Sequence, residues 1–116
     1  MADRINPIRL TDNRSGDNYE LDFSRDSVRF AEQREFVLEE VAKLPATKVP
    51  ELFFYAFRMN HKKITRSQTD ALLESMGGLS PKVLERLVML YQQAQFSNTI
   101  QDEEELEKNG AVTVEL

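Results

Sequence analysis

The stretch Tyr19-Glu-Leu-Asp-Phe-Ser-Arg-Asp-Ser-Val-Arg-Phe-Ala-Glu32 changes its hydrophobic period halfway along, and this change decides the fold class. In its first half the apolar residues lie at every second position, which is typical of a strand with one apolar face: Tyr19, Leu21 and Phe23. Ser24 is a good helix N-cap, and Val28 and Ala31 follow it at helical spacing. A strand that leads directly into a helix predicts an α+β fold.

The residues before this stretch predict the other half of a β-hairpin. Ile8 and Leu10 alternate with Arg9, and residues 11–18 are polar turn formers around a tip at Ser15-Gly16. Two strands alone bury too little apolar surface to be stable in water. We therefore expect the hairpin to pack against helices.

The residues after it predict about four helices. Residues 36–44 place Val37, Val41 and Leu44 at helical spacing, and residues 33–35 either continue the first helix or break it. Thr47 is the expected cap of the next helix, with Pro50 tolerated in its first turn. A helix from Thr65 or Ser67 is expected to end at Gly77-Gly78, and Ser80-Pro81 should open the last helix. Its inward stripe comprises Leu84, Leu87, Val88 and Tyr91.

Charge divides the chain of 116 residues into two parts. Residues 1–100 contain equal numbers of acidic and basic residues, so the whole net charge of −5 lies in residues 101–116. We expect residues 1–100 to form a single, mostly helical α+β domain and residues 101–116 to form an acidic C-terminal tail with a strand-like end.

Composition excludes several kinds of catalytic and metal site. The chain has no cysteine and one histidine, His61, which excludes thiolate sites and multi-histidine zinc sites. Its four glycines do not form a phosphate-binding loop, and its clustered glutamates are interpreted as solvated charge. We expect no catalytic residues, no cofactor and no metal, and therefore a protein that is not an enzyme.

Hydropathy predicts a soluble, cytoplasmic protein. The longest unbroken apolar run is residues 52–57, whereas a membrane-spanning helix needs about 20 apolar residues. The N-terminal Met-Ala-Asp-Arg is not followed by an apolar signal segment. We expect no interaction with a membrane.

A basic cluster follows the central apolar segment and has two interpretations. It comprises Arg58, His61, Lys62, Lys63 and Arg66. Either it is a solvated helix end or a docking site for an acidic protein segment, or it binds phosphate. Nucleic-acid-binding domains usually carry a strong basic excess, and the body of this chain is neutral, so nucleic acid is the less favoured partner.

Residues 52–59 also have two interpretations. Because this segment is apolar nearly all round, it is either the centre of the core or a helix with one face reserved for a partner. In the second case Phe54, Tyr55 and Met59 form an exposed binding patch, of the aromatic and methionine composition common at protein interfaces.

The tail leaves three alternatives open. Val112, Val114 and Leu116 would share one face of a strand. The tail is either solvated, or adds a third strand to the hairpin, or pairs with a sheet edge of a partner. Within residues 1–100, only the basic residues 58–66 could complement the charge of the acidic residues 102–107. The acidic residues either fold onto this basic segment or leave it free for a partner.

Four segments together resemble tail assembly chaperones of tailed phages (siphophages and prophages), close to an uncharacterised family of small phage proteins from Gram-positive hosts. They are the hairpin-to-helix stretch quoted above, Pro50-Glu-Leu-Phe-Phe-Tyr-Ala-Phe-Arg58, Gly77-Gly-Leu-Ser-Pro81 with Leu84-Glu-Arg-Leu-Val-Met-Leu-Tyr91, and Val112-Thr-Val-Glu-Leu116. The resemblance implies a helical, non-enzymatic protein that coats the tape-measure protein and recruits tail-tube subunits in the cytoplasm of the bacterial host.

Two other function classes remain open beside the chaperone. One is a structural virion component, such as a connector or a tail accessory protein, and the other is a small DNA-binding regulator that would use Lys62 and Lys63. A homo-oligomer is compatible with each of the three classes.

Overall fold

The computed structural model describes residues 4–96, in which a two-stranded antiparallel hairpin precedes five helices. The elements are β1 (Ile8–Asp12), β2 (Asp17–Leu21), α1 (Arg25–Glu32), α2 (Glu40–Lys43), α3 (Pro45–Phe57), α4 (Arg66–Met76) and α5 (Pro81–Gln95). The predicted α+β class is confirmed. The predicted strand at Val112, Val114 and Leu116 lies outside the described residues.

The hairpin has the predicted strands and tip. Ile8 pairs with Leu21 and Leu10 pairs with Tyr19, so one face of the hairpin carries all four apolar side chains. The chain turns over residues 13–16, where Gly16 has a φ of 81°, in the left-handed region that glycine adopts without strain. This apolar face lies against the helices, with Leu21 and Phe23 buried.

Helix α1 begins at the predicted cap and then breaks. The Ser24 hydroxyl accepts a hydrogen bond from the Ser27 N–H, and the Ser27 hydroxyl accepts one from the Ser24 N–H. Glu35 has a φ of 65°, a left-handed conformation that no helix accommodates. Residues 33–35 therefore break the helix, which settles the alternative that the sequence left open.

The helix predicted over residues 36–44 is wrong for most of its length. Only Glu40–Lys43 is helical, because the left-handed Glu35 precedes the segment and Leu44 is constrained by Pro45. The exposed fractions of Val37 and Leu44 are 45% and 50%, so neither faces the core. Leu38 is buried in place of Val37.

The predicted start of α3 is also wrong. The helix begins at Pro45, with Leu44 as N-cap and no side-chain cap from Thr47. Proline suits the first helical position because its φ is already helical and its missing N–H is not needed there. As a consequence Pro50 lies inside the helix rather than in its first turn.

The last two helices have capped starts. The Thr65 hydroxyl accepts from the Gln68 N–H, and the Gln68 side chain accepts from the Thr65 N–H, so α4 starts from Thr65. Gly77 ends α4 with a φ of 72°. The Ser80 hydroxyl accepts from the Val83 N–H at the start of α5, as the Ser80-Pro81 signal predicts.

Helix α3 is the centre of the core. It contacts α1, α2, α4, α5 and β2, and Leu52, Phe53, Ala56 and Phe57 on it are buried. The Tyr91 ring of α5 packs edge-on against Phe23 and Phe36, at centroid distances of 5.1 Å and 5.5 Å. Of the predicted inward stripe of α5, Leu87 and Tyr91 are buried, and Leu84 and Val88 are partly buried against the core. No helix within residues 4–96 is long and apolar enough to cross a membrane.

Candidate functional site

A surface depression near the basic cluster lies between the hairpin and the loop that joins α3 to α4. This depression, which we call the hairpin groove, has a volume of about 730 Å³. Its lining residues are Asp17, Asn18, Tyr19, Met59, Asn60, His61, Lys62, Lys63, Ile64 and Gln68. It therefore brings β2 together with most of the basic segment that the sequence singles out.

The end of α3 and the loop after it form the wall of the groove, and hydrogen bonds join this wall to main-chain groups on the outer edge of β2. The Glu20 N–H donates to His61 Nε2 at 3.0 Å, and Asn60 Nδ2 donates to the Glu20 carbonyl at 3.3 Å. Two residues further on, the Asp22 N–H donates to the Ala56 carbonyl at 3.1 Å. The end of α3 and the residues after it thus occupy the position that a third strand would take.

His61 is a positioning residue that joins the loop after α3 to β2. Its Nε2 accepts the hydrogen bond from the Glu20 N–H. Its ring packs edge-on against Tyr19 at a centroid distance of 5.2 Å and against Phe57 at 6.1 Å. The ring nitrogen that faces β2 and the ring itself therefore both serve to hold the loop against the hairpin.

Tyr19 forms the floor of the groove. Its ring packs edge-on against Phe57 at 5.3 Å, and its side chain is half-buried. Burial raises the pKa of the Tyr19 hydroxyl, and the carboxylates of Asp17 and Asp12 raise this pKa further. The Tyr19 hydroxyl therefore lies beside the Asp17 carboxylate at the groove.

The remaining cations of the predicted cluster separate into different environments. Lys62 and Lys63 are exposed at the groove. Arg66 Nε lies 2.8 Å from Asp70 Oδ1 on the surface of α4, so its charge is already paired. Arg58 turns towards α1, where its guanidinium carbon lies 4.0 Å from the centre of the Phe30 ring. Lys62 and Lys63 therefore line the groove as lysines that form no ion pair within residues 4–96.

The predicted apolar patch does not form one surface. Tyr55 is only 7% exposed, and its ring packs edge-on against Phe30 and Phe36, so the core interpretation holds for this residue. Phe54 is half-buried and packs against Tyr55, whereas Met59 lines the hairpin groove. The three residues diverge because the helix ends at Phe57 and Met59 lies in the turn beyond it.

A second surface, which is not among the predicted sites, surrounds Phe30. The guanidinium carbons of Arg34 and Arg58 lie 3.5 Å and 4.0 Å from the centre of this ring. Both guanidinium groups lie within the distance range of cation–π contacts with this ring. The spacing of Phe30 and Arg34 is a signal that could have indicated this pair, since residues four apart in a helix are neighbours.

The groove also contains residues for which the sequence held no signal. Tyr19 was predicted as an ordinary inward residue of the hairpin, and Asn60, Ile64 and Gln68 belong to no recognisable pattern. Their place in the site follows from the contact between the hairpin and the α3–α4 loop. In the part of the chain that the structure describes, no group of three Asp, Glu or His side chains lies close enough to hold a metal ion.

A family model described as Domain of unknown function (DUF5055) matches residues 1–116. Neither the search of curated proteins nor the search of solved structures gives a significant match.

Proposed function

We propose that this chain, which belongs to the family described as Domain of unknown function (DUF5055), is a non-enzymatic tail assembly chaperone of a tailed phage or prophage. It acts in the cytoplasm of the bacterial host and holds the tape-measure protein and tail-tube subunits during assembly. The observation that carries the proposal is the hairpin groove, where half-buried apolar side chains lie beside two exposed lysines.

The composition of the groove suits a segment of another protein. Tyr19, Met59 and Ile64 are half-buried and offer an aromatic, a flexible thioether and a branched apolar surface. Lys62 and Lys63 lie at its rim. Protein interfaces commonly have this plan, with an apolar centre enriched in aromatic residues and methionine and a polar rim.

The charge of the rim predicts the chemistry of the partner. Lys62 and Lys63 attract carboxylates, and the neighbouring Asp17 is the one acidic side chain that lines the groove. We expect the bound segment to combine apolar residues with acidic ones. A long helical protein such as a tape-measure protein can supply many such segments, and this agrees with the resemblance of the sequence to tail assembly chaperones.

The test measures binding to the tape-measure protein encoded in the same genome. The chain and its Lys62→Glu/Lys63→Glu variant are titrated against that protein by calorimetry. We expect the double variant to bind at least about tenfold more weakly, because charge reversal replaces attraction with repulsion. The matched control is Lys43→Glu/Lys82→Glu, which makes the same charge change at two exposed lysines outside the groove.

Three outcomes count against the proposal. Equal binding by the groove variant and the control would remove the groove as the site. Failure of the unaltered chain to retain the tape-measure protein or tail-tube subunits would remove the chaperone function. Stable presence of the chain in purified virions would favour the structural virion component instead, since assembly chaperones leave the finished particle.

A further inference from the structure

The two edges of the hairpin differ in how their main-chain groups are used. The outer edge of β2 is covered, because Glu20 and Asp22 form hydrogen bonds to Asn60, His61 and Ala56. Since the main-chain groups of Glu20 point away from β1, the pair of Glu20 and Arg9 is a non-hydrogen-bonded pair of the antiparallel ladder. The N–H and carbonyl groups of Arg9 therefore point away from β2.

The outer edge of β1 is open. Thr11 lies two residues beyond Arg9, so its main-chain groups point in the same direction. No residue within 4–96 forms a hydrogen bond with the outward N–H or carbonyl group of Arg9 or Thr11. Both residues are exposed. An exposed edge with free main-chain groups is a template for one more strand.

An apolar recess lies beside this open edge. It has a volume of about 270 Å³ and lies between β1, the hairpin tip and the second half of α4. Its apolar lining comprises Leu10, Tyr19, Leu72 and Met76. Met76 is 42% exposed, although it is large and apolar. A strand added to β1 would place every second side chain on this face of the sheet.

We propose that residues 111–116 of this same chain, Ala-Val-Thr-Val-Glu-Leu, add to the open edge of β1 as a third strand. Val112, Val114 and Leu116 then continue the apolar face of Ile8 and Leu10 towards the recess. Thr113 and Glu115 lie on the opposite face, which carries Arg9 and Thr11. An acidic residue suits this face, because the Arg9 side chain is 86% exposed and its Nε lies as far as 3.7 Å from Oε1 of Glu20.

The connection between the two segments permits this pairing. The Ile5 N–H donates to Gln93 Oε1 at 2.9 Å, so the end of α5 lies close to the start of β1. Residues 96–110 separate α5 from the added strand and can span up to about 50 Å, whereas β1 is about 17 Å long. A tether of this length holds the segment near the edge at an effective concentration on the order of 1 mM. At lower protein concentrations the chain's own segment therefore outcompetes the same segment of a second copy.

Amide hydrogen exchange in the full chain tests the proposal. The chain is compared with a version that ends at Gly110 and with Val112→Ser/Val114→Ser. We expect the Arg9 and Thr11 amides to exchange at least about tenfold faster in both altered proteins, because each loses the added strand. The matched control is Ala111→Ser/Thr113→Ser, which changes the opposite face of the segment and should leave the exchange rates as they are.

The Glu20 amide is the internal reference, because its partner His61 lies on the other edge of the hairpin. Its protection in every variant shows that the hairpin itself is folded. Equal exchange of Arg9 and Thr11 in the full and shortened chains would overturn the proposal. The proposal would also be overturned if the protection of the Arg9 and Thr11 amides increased with protein concentration and light scattering showed dimers. The added strand would then come from a second copy of the chain. The test does not depend on the chaperone function or on any partner protein.

Discussion

At the scale of single residues, His61 links the basic segment to the hairpin. It contributes a hydrogen-bond acceptor to the Glu20 N–H and an aromatic ring to the contact with Tyr19 and Phe57. These two contributions are chemically separable. Glutamine can place an amide oxygen near the position of Nε2 but has no ring, whereas phenylalanine keeps a ring but has no acceptor.

We predict that His61→Phe exposes the Glu20 amide to fast exchange and lowers the free energy of unfolding by about 1–3 kcal/mol, because a partly buried donor loses its partner. His61→Gln should keep the Glu20 amide protected. Hydrogen exchange and urea unfolding of the two variants measure both effects. Slow exchange at Glu20 in the phenylalanine variant would show that this hydrogen bond does not hold the wall of the groove.

Individual side chains also show where sequence reasoning reaches its limit. The cap at Ser24 was predictable, because it depends on neighbours within a few residues. The separation of Arg58 from Lys62 and Lys63 was not predictable from the sequence. It depends on Phe30, which lies far from Arg58 in the sequence but packs beside it in the fold.

At the scale of the elements, α3 contains two prolines in different positions. Pro45 occupies the first helical position, where proline is favourable. Pro50 lies inside the helix and provides no N–H for the Ala46 carbonyl one turn earlier. A proline inside a helix is about 3 kcal/mol less favourable than alanine, partly offset by about 1 kcal/mol because it restricts the unfolded chain.

We predict that Pro50→Ala raises the free energy of unfolding by about 2 kcal/mol, because it restores the missing donor. Thermal and urea unfolding measure the change. Pro45→Ala is the matched control and should not stabilise the protein, since its N–H would have no helical acceptor. A destabilising Pro50→Ala would mean that the ring of Pro50, which is half-buried, contributes more through packing than it costs.

The element boundaries that were predicted correctly share a physical cause. Turn formers in the hairpin tip, the Ser80-Pro81 pair and Gly77 act through local backbone geometry. The start of α3 was predicted three residues late, because Thr47 is a good cap in isolation and Pro45 competes for the first helical position. The prediction of a helix over residues 36–44 was wrong because the left-handed backbone conformation of Glu35 cannot be predicted from its residue type.

At the scale of the whole molecule, one helix supports both the hairpin and the other helices. Phe57 on α3 is fully buried, and its ring contacts Tyr19 of β2, Phe53 of α3 and His61 of the groove. An isolated two-stranded hairpin is at best marginally stable. The hairpin and the helices should therefore unfold together.

We predict that Phe57→Ala lowers the free energy of unfolding by about 3–5 kcal/mol, because it leaves a cavity at this junction. Hydrogen exchange should show β2 and α3 losing protection together as denaturant is added. Phe96→Ala makes the same substitution at a side chain that is 51% exposed, and should change stability by no more than about 0.5 kcal/mol. Separate loss of protection in β2 and α3 would show that the hairpin is an independent unit.

The sequence alone determined the α+β class, the hairpin and the caps of α1 and α5. These features arise from apolar periodicity and from interactions that reach only a few residues along the chain. The family match supports membership over the whole chain and adds no function of its own.

Only the tertiary structure decided how the surface is organised. It buried Tyr55, left Met59 in the hairpin groove and made His61 the partner of Glu20, which precedes it by 41 residues. It also covered the outer edge of β2, while the outer edge of β1 has no hydrogen-bond partner within residues 4–96. Such outcomes depend on which elements pack together, and contacts between distant residues leave no trace in the local pattern of either partner.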